Sequence, residues 1–443
     1  MKERLAALSQ ALKLPDVRKR ITFVMMMFAV YVACAHVPMP GVDKAALDRL
    51  FTGGGLGDFL NMFVGGSLKR FSVLALGIMP YINASIIFQL LVMAIPQLEE
   101  LQKEGEYGQK KINRWTRYLT MALAFLQGMG MIGWFSGVEA FTGTRIDMFF
   151  AVLMMMSGTA FLMWLGDQIT DKGIGQGISL IIFAGIMTVM PQQLIQTVTL
   201  WKGGEIGLAN ILFLTIIFVA TIYGIVKVQQ AQREIPVHYA KRVKGNRVWG
   251  GQTAHLPLRV NQAGVIPIIF AISVALFPAT IANLMRGEAV VGFLHRTFGL
   301  SEEAIHGTIF SVVEFTTPGH NAFASFLYFV LVVIFTYFYT AVTFNPEQIA
   351  ENLQKNGGAI RGIRPGAKTR DYLDRILYRI TLAGALFLGI VALMQYYVGP
   401  LTGVRTFDLV GGTSLLIVVG VALDTMQQIE AHLLMRHYRG FLS

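Results

Sequence analysis

Long apolar runs separated by short polar segments dominate the chain. A bilayer core of about 30 Å needs about 20 apolar residues per helix. Ten runs approach that length: 21–37, 71–96, 116–136, 147–166, 178–200, 208–227, 263–285, 321–344, 376–398 and 407–426. Several are interrupted by Gly or Pro, which membrane helices tolerate when neighbours satisfy the freed backbone groups. The pattern predicts an all-α polytopic membrane protein with ten transmembrane helices. Residues 1–20 carry Leu5, Leu8 and Leu12 at helical spacing and read as an amphipathic segment on the membrane surface. Residues 227–262 and 345–375 read as long loops, and 427–443 as a polar tail. The segment around 57–70 is apolar but too short to span, since about 12 helical residues reach only about 18 Å. It reads as either a re-entrant segment or an interfacial helix.

Composition agrees with this pattern. Of 443 residues, 54% are hydrophobic and 14% charged, against roughly 25% charged in a soluble domain. The mean hydropathy is +0.55. These values exclude a disordered chain, a coiled coil and a disulfide scaffold, and Cys34 is the single cysteine. The net charge of +11 points first to basic cytoplasmic loops. With the N-terminus inside, about three quarters of the 37 Lys and Arg fall on inner segments. Ten spans with both termini cytoplasmic follow. The first run would fit the core of a secretory signal alone, but the runs after it make it the first span of many.

Two inner loops concentrate positive charge: Lys241, Arg242, Lys244 and Arg247 in one, and Lys355, Arg361, Arg364, Lys368 and Arg370 in the other. They either set topology or form a docking surface for anionic lipid or RNA.

Ten spans divide into five and five, and corresponding spans share punctuation. Gly77-Ile78-Met79-Pro80-Tyr81-Ile82 and Gly264-Val265-Ile266-Pro267-Ile268-Ile269 both read G-x-x-P-x-I. Gly177-Ile178-Ser179-Leu180-Ile181-Ile182 and Gly412-Thr413-Ser414-Leu415-Leu416-Ile417 both read G-x-S-L-[IL]-I. Matching spans run in opposite directions, as an inverted repeat requires, and broken helices at equivalent places predict a central site. Ile82, Ile269, Ile182 and Ile417 occupy equivalent positions there, and Ile78 lies one turn from Ile82. Taken alone, each reads as an ordinary packing or lipid-facing isoleucine; the paired positions are what favour a central site.

No ionisable residue falls in the middle of a span; Asp147, Asp167, Asp408 and Asp424 sit near span ends. There is no G-x-x-x-x-G-K-[ST] loop, no H-E-x-x-H and no convincing nucleophile–base pair. The reading is a chain without catalytic activity, cofactor or metal.

With those residues assembled, the chain resembles the SecY family over almost its whole length. The resemblance rests on Ile78-Met79-Pro80-Tyr81-Ile82, Phe161 to Gly166, Gly173 to Ser179, Thr253-Ala254-His255-Leu256-Pro257-Leu258, Phe277-Pro278-Ala279-Thr280-Ile281, Gly362-Ile363-Arg364-Pro365-Gly366 and Gly411 to Leu416, in that order. It implies two inverted five-helix halves, 21–200 and 208–426, closing like a clamshell around a pore. The implied function is a protein-conducting channel in the bacterial inner membrane, which passes unfolded secretory polypeptides and releases hydrophobic segments sideways into lipid. The implied pore ring is Ile78, Ile82, Ile178, Ile182, Ile269 and Ile417. The implied lateral gate includes Asn83, Ile86, Asn261 and Phe277, and the implied plug includes Asp58, Phe59, Asn61, Met62 and Phe63. Arg364, Lys241, Arg242 and Arg247 are the implied docking residues. Implied partners are the small membrane subunits SecE and SecG, the motor ATPase SecA, the ribosome, signal peptides, nascent secretory chains and membrane lipid. A secondary transporter for small solutes is the competing class, favoured by the repeat and opposed by the missing midplane charge. An intramembrane protease is a third.

Overall fold

The computed structural model describes residues 14–43, 66–68, 70–137, 141, 143–239, 242–244, 247–249, 253–284, 301–319, 321–404 and 412–439. Its elements, in order, are α1 (Pro15–Ala35), α2 (Met79–Ala94), α3 (Pro96–Lys103), α4 (Glu106–Gly137), α5 (Arg145–Lys172), α6 (Gly177–Lys202) and α7 (Leu208–Gln230). Four strands follow: β1 (Gln232–Tyr239), β2 (Arg242–Lys244), β3 (Arg247–Trp249) and β4 (Thr253–Arg259). Then come α8 (Ile266–Leu284), α9 (Glu302–Thr316), α10 (Ala322–Thr343), α11 (Pro346–Lys355), β5 (Gly358–Ile360), α12 (Ala367–Thr402) and α13 (Thr413–Arg439).

Each predicted span falls on one of these helices. Among the described residues, six helices are long and apolar enough to cross a membrane: α5, α6, α7, α10 together with α11, α12 and α13. A seventh follows if α2 and α3 count as one broken span; they meet at 101°. The bend has a local cause. Ile95 is extended, with ψ 111°, as the residue before a proline prefers, and Pro96 opens the next helix. The remaining predicted spans fall on α1, α4 and α8. Helix α1 carries Asp16, Arg18, Lys19 and Arg20 in its first turns, α4 opens with ten residues that include Glu106, Lys110, Lys111 and Arg114, and α8 contains Pro278.

Several boundaries differ from the apolar pattern. Pro15–Arg20, read as part of a surface segment, is continuous with the first span. The apolar pattern predicts the second span from residue 71, but 70–78 are turns, apart from a one-residue bridge of Ser72 to Pro38, and the helix starts at Met79. Proline lacks an N–H and is favoured in a first turn, where that N–H would be unpaired anyway, so Pro80 suits that start. Helix α12 runs 36 residues, well beyond 376–398, and α13 continues through the predicted tail to Arg439.

The chain divides into two compact units: Met1–Gly203 with Leu276–Thr317 and Val421–Ser443, and Gly204–Ala275 with Pro318–Gly420. In the first unit, a buried cluster joins Phe71, Leu76, Phe135 and Met155. Small residues permit close approach there. A Cβ at Gly158 would stand 2.2 Å from the Val73 carbonyl oxygen.

In the second unit, the two long loops are joined by a sheet of order β4-β1-β5. β1 pairs antiparallel with β4, Ile235 opposite Leu256, and with β5, Val237 opposite Ile360. Pro236 lies just outside the stretch where β1 is paired on both sides, as a residue without an N–H must. Beneath the sheet, Ile235, Val237, Leu258, Phe344, Ile360, Leu373, Ile376 and Leu377 form one buried layer. A three-residue β5 contributes few ladder bonds, whereas each fully buried aliphatic side chain contributes about 1.5–3 kcal/mol. The apolar layer therefore holds the second loop against the first. The expectation of an all-helical chain is amended by these strands, which lie outside the spans.

Candidate functional site

The two helices of the implied gate begin alike. In the first unit Gly77 has φ +57°, and α2 starts two residues on with Pro80 in its first turn. In the second, Gly264 has φ +65°, and α8 starts two residues on with Pro267 in the same place. Glycine reaches these left-handed values without steric cost. In both, a side chain holds the glycine carbonyl. Thr159 Oγ1 donates to Gly77 O at 3.2 Å, and Asn261 Nδ2 donates to Gly264 O at 3.0 Å. The other repeated motif also marks helix starts. Gly177 is the first residue of α6, and Gly412, with φ +47°, directly precedes α13.

The six implied ring isoleucines are distributed over both units. Ile78, Ile82, Ile178 and Ile182 belong to the first, and Ile269 and Ile417 to the second. Five of them are buried. Ile178 is half-buried, and its Cγ1 packs 3.3 Å from where a Cβ would stand on Gly166. Of the gate residues, Asn83 is half-buried and Ile86 buried on α2. Asn261 is buried, and its Oδ1 lacks a hydrogen-bond partner. Phe277 lies on α8, with its side chain outside the described residues. The plug residues Asp58, Phe59, Asn61, Met62 and Phe63 lie outside them too.

Polar groups within the membrane helices are largely satisfied by their own helix. Thr120, Thr197, Thr336 and Thr340 each donate to the carbonyl four residues back, at 2.6–2.9 Å. Arg117 and Asp167 pair at 2.7 Å between α4 and α5, both half exposed; such a pair contributes about 0–1 kcal/mol. Among the described residues no group of three His, Cys, Asp or Glu is placed to hold a metal ion.

Arg364 is exposed in the turn between β5 and α12. Gly362 at φ +81° and Gly366 at φ +93° shape that turn, and Pro365 favours an extended backbone at Arg364. Thr369 Oγ1 donates to the Arg364 carbonyl at 3.0 Å. Arg242 and Arg247 lie on the two strands of the β2–β3 hairpin, opposite Trp249 and Lys244. Lys241 lies outside the described residues. Sequence reasoning missed Thr159 and Thr369, because a lone threonine gives no sign of a carbonyl partner elsewhere in the fold.

The chain is similar to known proteins along its whole length. A family model described as SecY matches residues 72–426. The protein translocase subunit SecY of Halalkalibacterium halodurans is 44% identical over 445 residues, covering 98% of this chain and 99% of that one. Its counterpart from Thermus thermophilus is 42% identical over 448 residues, covering 99% and 98%. Among solved structures, a protein-conducting channel aligns with TM-score 0.65 at 19% identity, over 95% of this chain and 93% of that one. Sec61 in a canine ribosome–channel complex aligns with TM-score 0.62 at 18% identity, over 95% and 93%. The fold is therefore that of the protein-conducting channels, and the chain, a multi-pass membrane protein, belongs to the SecY family of protein translocase subunits.

Proposed function

We propose that the chain is the pore-forming subunit of a protein translocase in the bacterial inner membrane, with both termini cytoplasmic. The observation that carries the reading is 44% identity, end to end, to a protein translocase subunit. Ile78, Ile82, Ile178, Ile182, Ile269 and Ile417 form the constriction. An apolar ring makes no hydrogen-bond demand on what passes, so it admits any sequence, and when empty it dewets and opposes ion flow. Residues 57–70 close the outer side as a plug. A hydrophobic signal leaves between the gate helices α2 and α8, past Asn83, Ile86, Asn261 and Phe277, because lipid is a better solvent for it than an aqueous funnel.

The chain has no catalytic step of its own, and a partner supplies the energy. Arg364, on its glycine-flanked turn, and Lys241, Arg242 and Arg247 engage SecA or the ribosome. Ribosome-bound relatives of this fold, Sec61 and yeast Ssh1, make the ribosome a consistent partner. SecE and SecG complete the membrane complex. The small-solute transporter is disfavoured because no ionisable residue falls in the middle of a span.

The test is a disulfide trap. Ile417→Cys is introduced after Cys34→Ser, and a secretory chain carrying one cysteine is stalled in mid-export. A specific crosslink is expected. Its absence at every register of the stalled chain would remove the ring assignment and bring the transporter forward.

A further inference from the structure

Gly173, Gly175 and Gly177 alternate along the turn that feeds α6 in close packing: the atom nearest a Cβ would be the Ile169 carbonyl oxygen of α5 at 2.5 Å for Gly173 and Leu180 Cδ1 of α6 at 2.7 Å for Gly175, with α1 and α13 close behind. A Cβ on Gly173 would stand 2.7 Å from Val24 Cγ2 of α1. On Gly175, whose φ is +99°, it would stand 3.2 Å from Thr425 Oγ1 of α13. On Gly177 it would stand 1.8 Å from the Gly166 carbonyl oxygen of α5. Hydrogen bonds follow the same order. Arg20 Nη1 of α1 donates to Gly173 O at 3.0 Å. Gly175 N donates to Gln428 Oε1 of α13 at 2.9 Å. Gly177 N donates to Thr170 Oγ1 of α5 at 2.9 Å. Val17, Ile174 and Ile429 then form one buried cluster across α1, the turn and α13. All of these residues belong to the first unit.

Ile178 and Ile182 follow at once, on the first two turns of α6. A helix start fixes the azimuth of every side chain after it. A slip of one residue rotates the helix by about 100° and shifts it by about 1.5 Å. The Arg20 bond is charge-assisted and so stronger than a neutral one. The hydroxyl of Thr170 satisfies one of the N–H groups that a helix start leaves unpaired. Helix α6 has no side-chain cap from its own Gln176, so its start depends on groups lent by neighbours. We propose that Arg20, Thr170 and Gln428 are positioning residues for the pore. They set the start of α6, and with it where Ile178 and Ile182 stand. The proposal rests on the ring assignment made above.

The test is resting ion conductance of the full chain in planar bilayers, without a translocating polypeptide. Four variants are compared with the parent: Ile182→Gly, Arg20→Met, Arg20→Lys, and Ile182→Gly combined with Arg20→Met. Arg20→Met keeps the aliphatic stem and removes the donors; Arg20→Lys returns a cationic donor. Ile182→Gly is expected to leak. Arg20→Met is expected to leak to a similar degree, Arg20→Lys to restore much of the seal, and the double variant to leak no more than Ile182→Gly alone. Thr170→Val, which loses only the hydroxyl, carries the same expectation should Arg20→Met fail to accumulate. If Ile182→Gly leaks while Arg20→Met and Thr170→Val stay as tight as the parent, the positioning role is overturned. A double variant whose leak is the sum of the two singles also overturns it, because Arg20 then acts elsewhere. If Ile182→Gly itself does not leak, the ring reading fails and this proposal fails with it.

Discussion

Gly264 and Gly177 are the same residue doing different work. Gly264 is needed for its φ of +65°, and nothing stands within 4 Å of where a Cβ would be. Gly177 has no positive φ to defend, but its Cβ would meet a backbone carbonyl oxygen at 1.8 Å. Left-handed strain in a non-glycine residue costs about 1–2 kcal/mol. A clash with backbone cannot be relieved by a rotamer change and must displace α5 or α6. Gly264→Ala should therefore accumulate in the membrane with a slightly lowered melting temperature. Gly177→Ala should accumulate poorly or melt far earlier. Membrane abundance and thermal unfolding in detergent rank the two, and the reverse order would contradict this account. Both glycines were legible in the sequence as members of a repeated motif. Their separate physical reasons were not, because one lies in a dihedral angle and the other in a neighbour of remote approach.

Among the elements, the sheet built from the two long loops was the least legible. The alternation of Ile235 and Val237 spans too few residues, and Pro236 between them argues against a strand. Only the partner strands at 253–259 and 358–360 make the segment a β1. The consequence is mechanical: the turn bearing Arg364 is fastened to the loop bearing Arg242 and Arg247. Truncating a buried aliphatic residue of this size costs about 2–5 kcal/mol, and Ile360 is 4% exposed in the layer beneath the sheet. Ile360→Ala should speed amide hydrogen exchange across 346–364 and reduce partner-driven export, while resting ion conductance stays at the parent level. Normal export with a loosened sheet would show that the fastening is dispensable.

For the whole molecule, the distribution of Lys and Arg and the order of the spans predict orientation. Ten crossings with the N-terminus inside place residues 20, 245 and 439 on the cytoplasmic side, and 204 and 400 on the outer side. Reporter fusions at these positions, active on one side of the membrane only, should follow that assignment. A reporter at 245 that reads the outer side would break the topology and the docking role of Arg364 together.

The sequence by itself determined the solvent of this protein, the number of its apolar runs, its orientation bias and the two pairs of matching glycine motifs. These are properties of composition and period, written locally along the chain. It did not determine where helices α2 and α12 begin, that the two basic loops share a sheet, or that Arg20, Thr170 and Gln428 meet one glycine turn. Those are set by pairings between residues distant in the chain, Gly173 with Arg20 and Gly175 with Gln428 among them. A hydrogen bond across 153 or 253 residues leaves no periodic trace in either partner, so only the tertiary structure decides it.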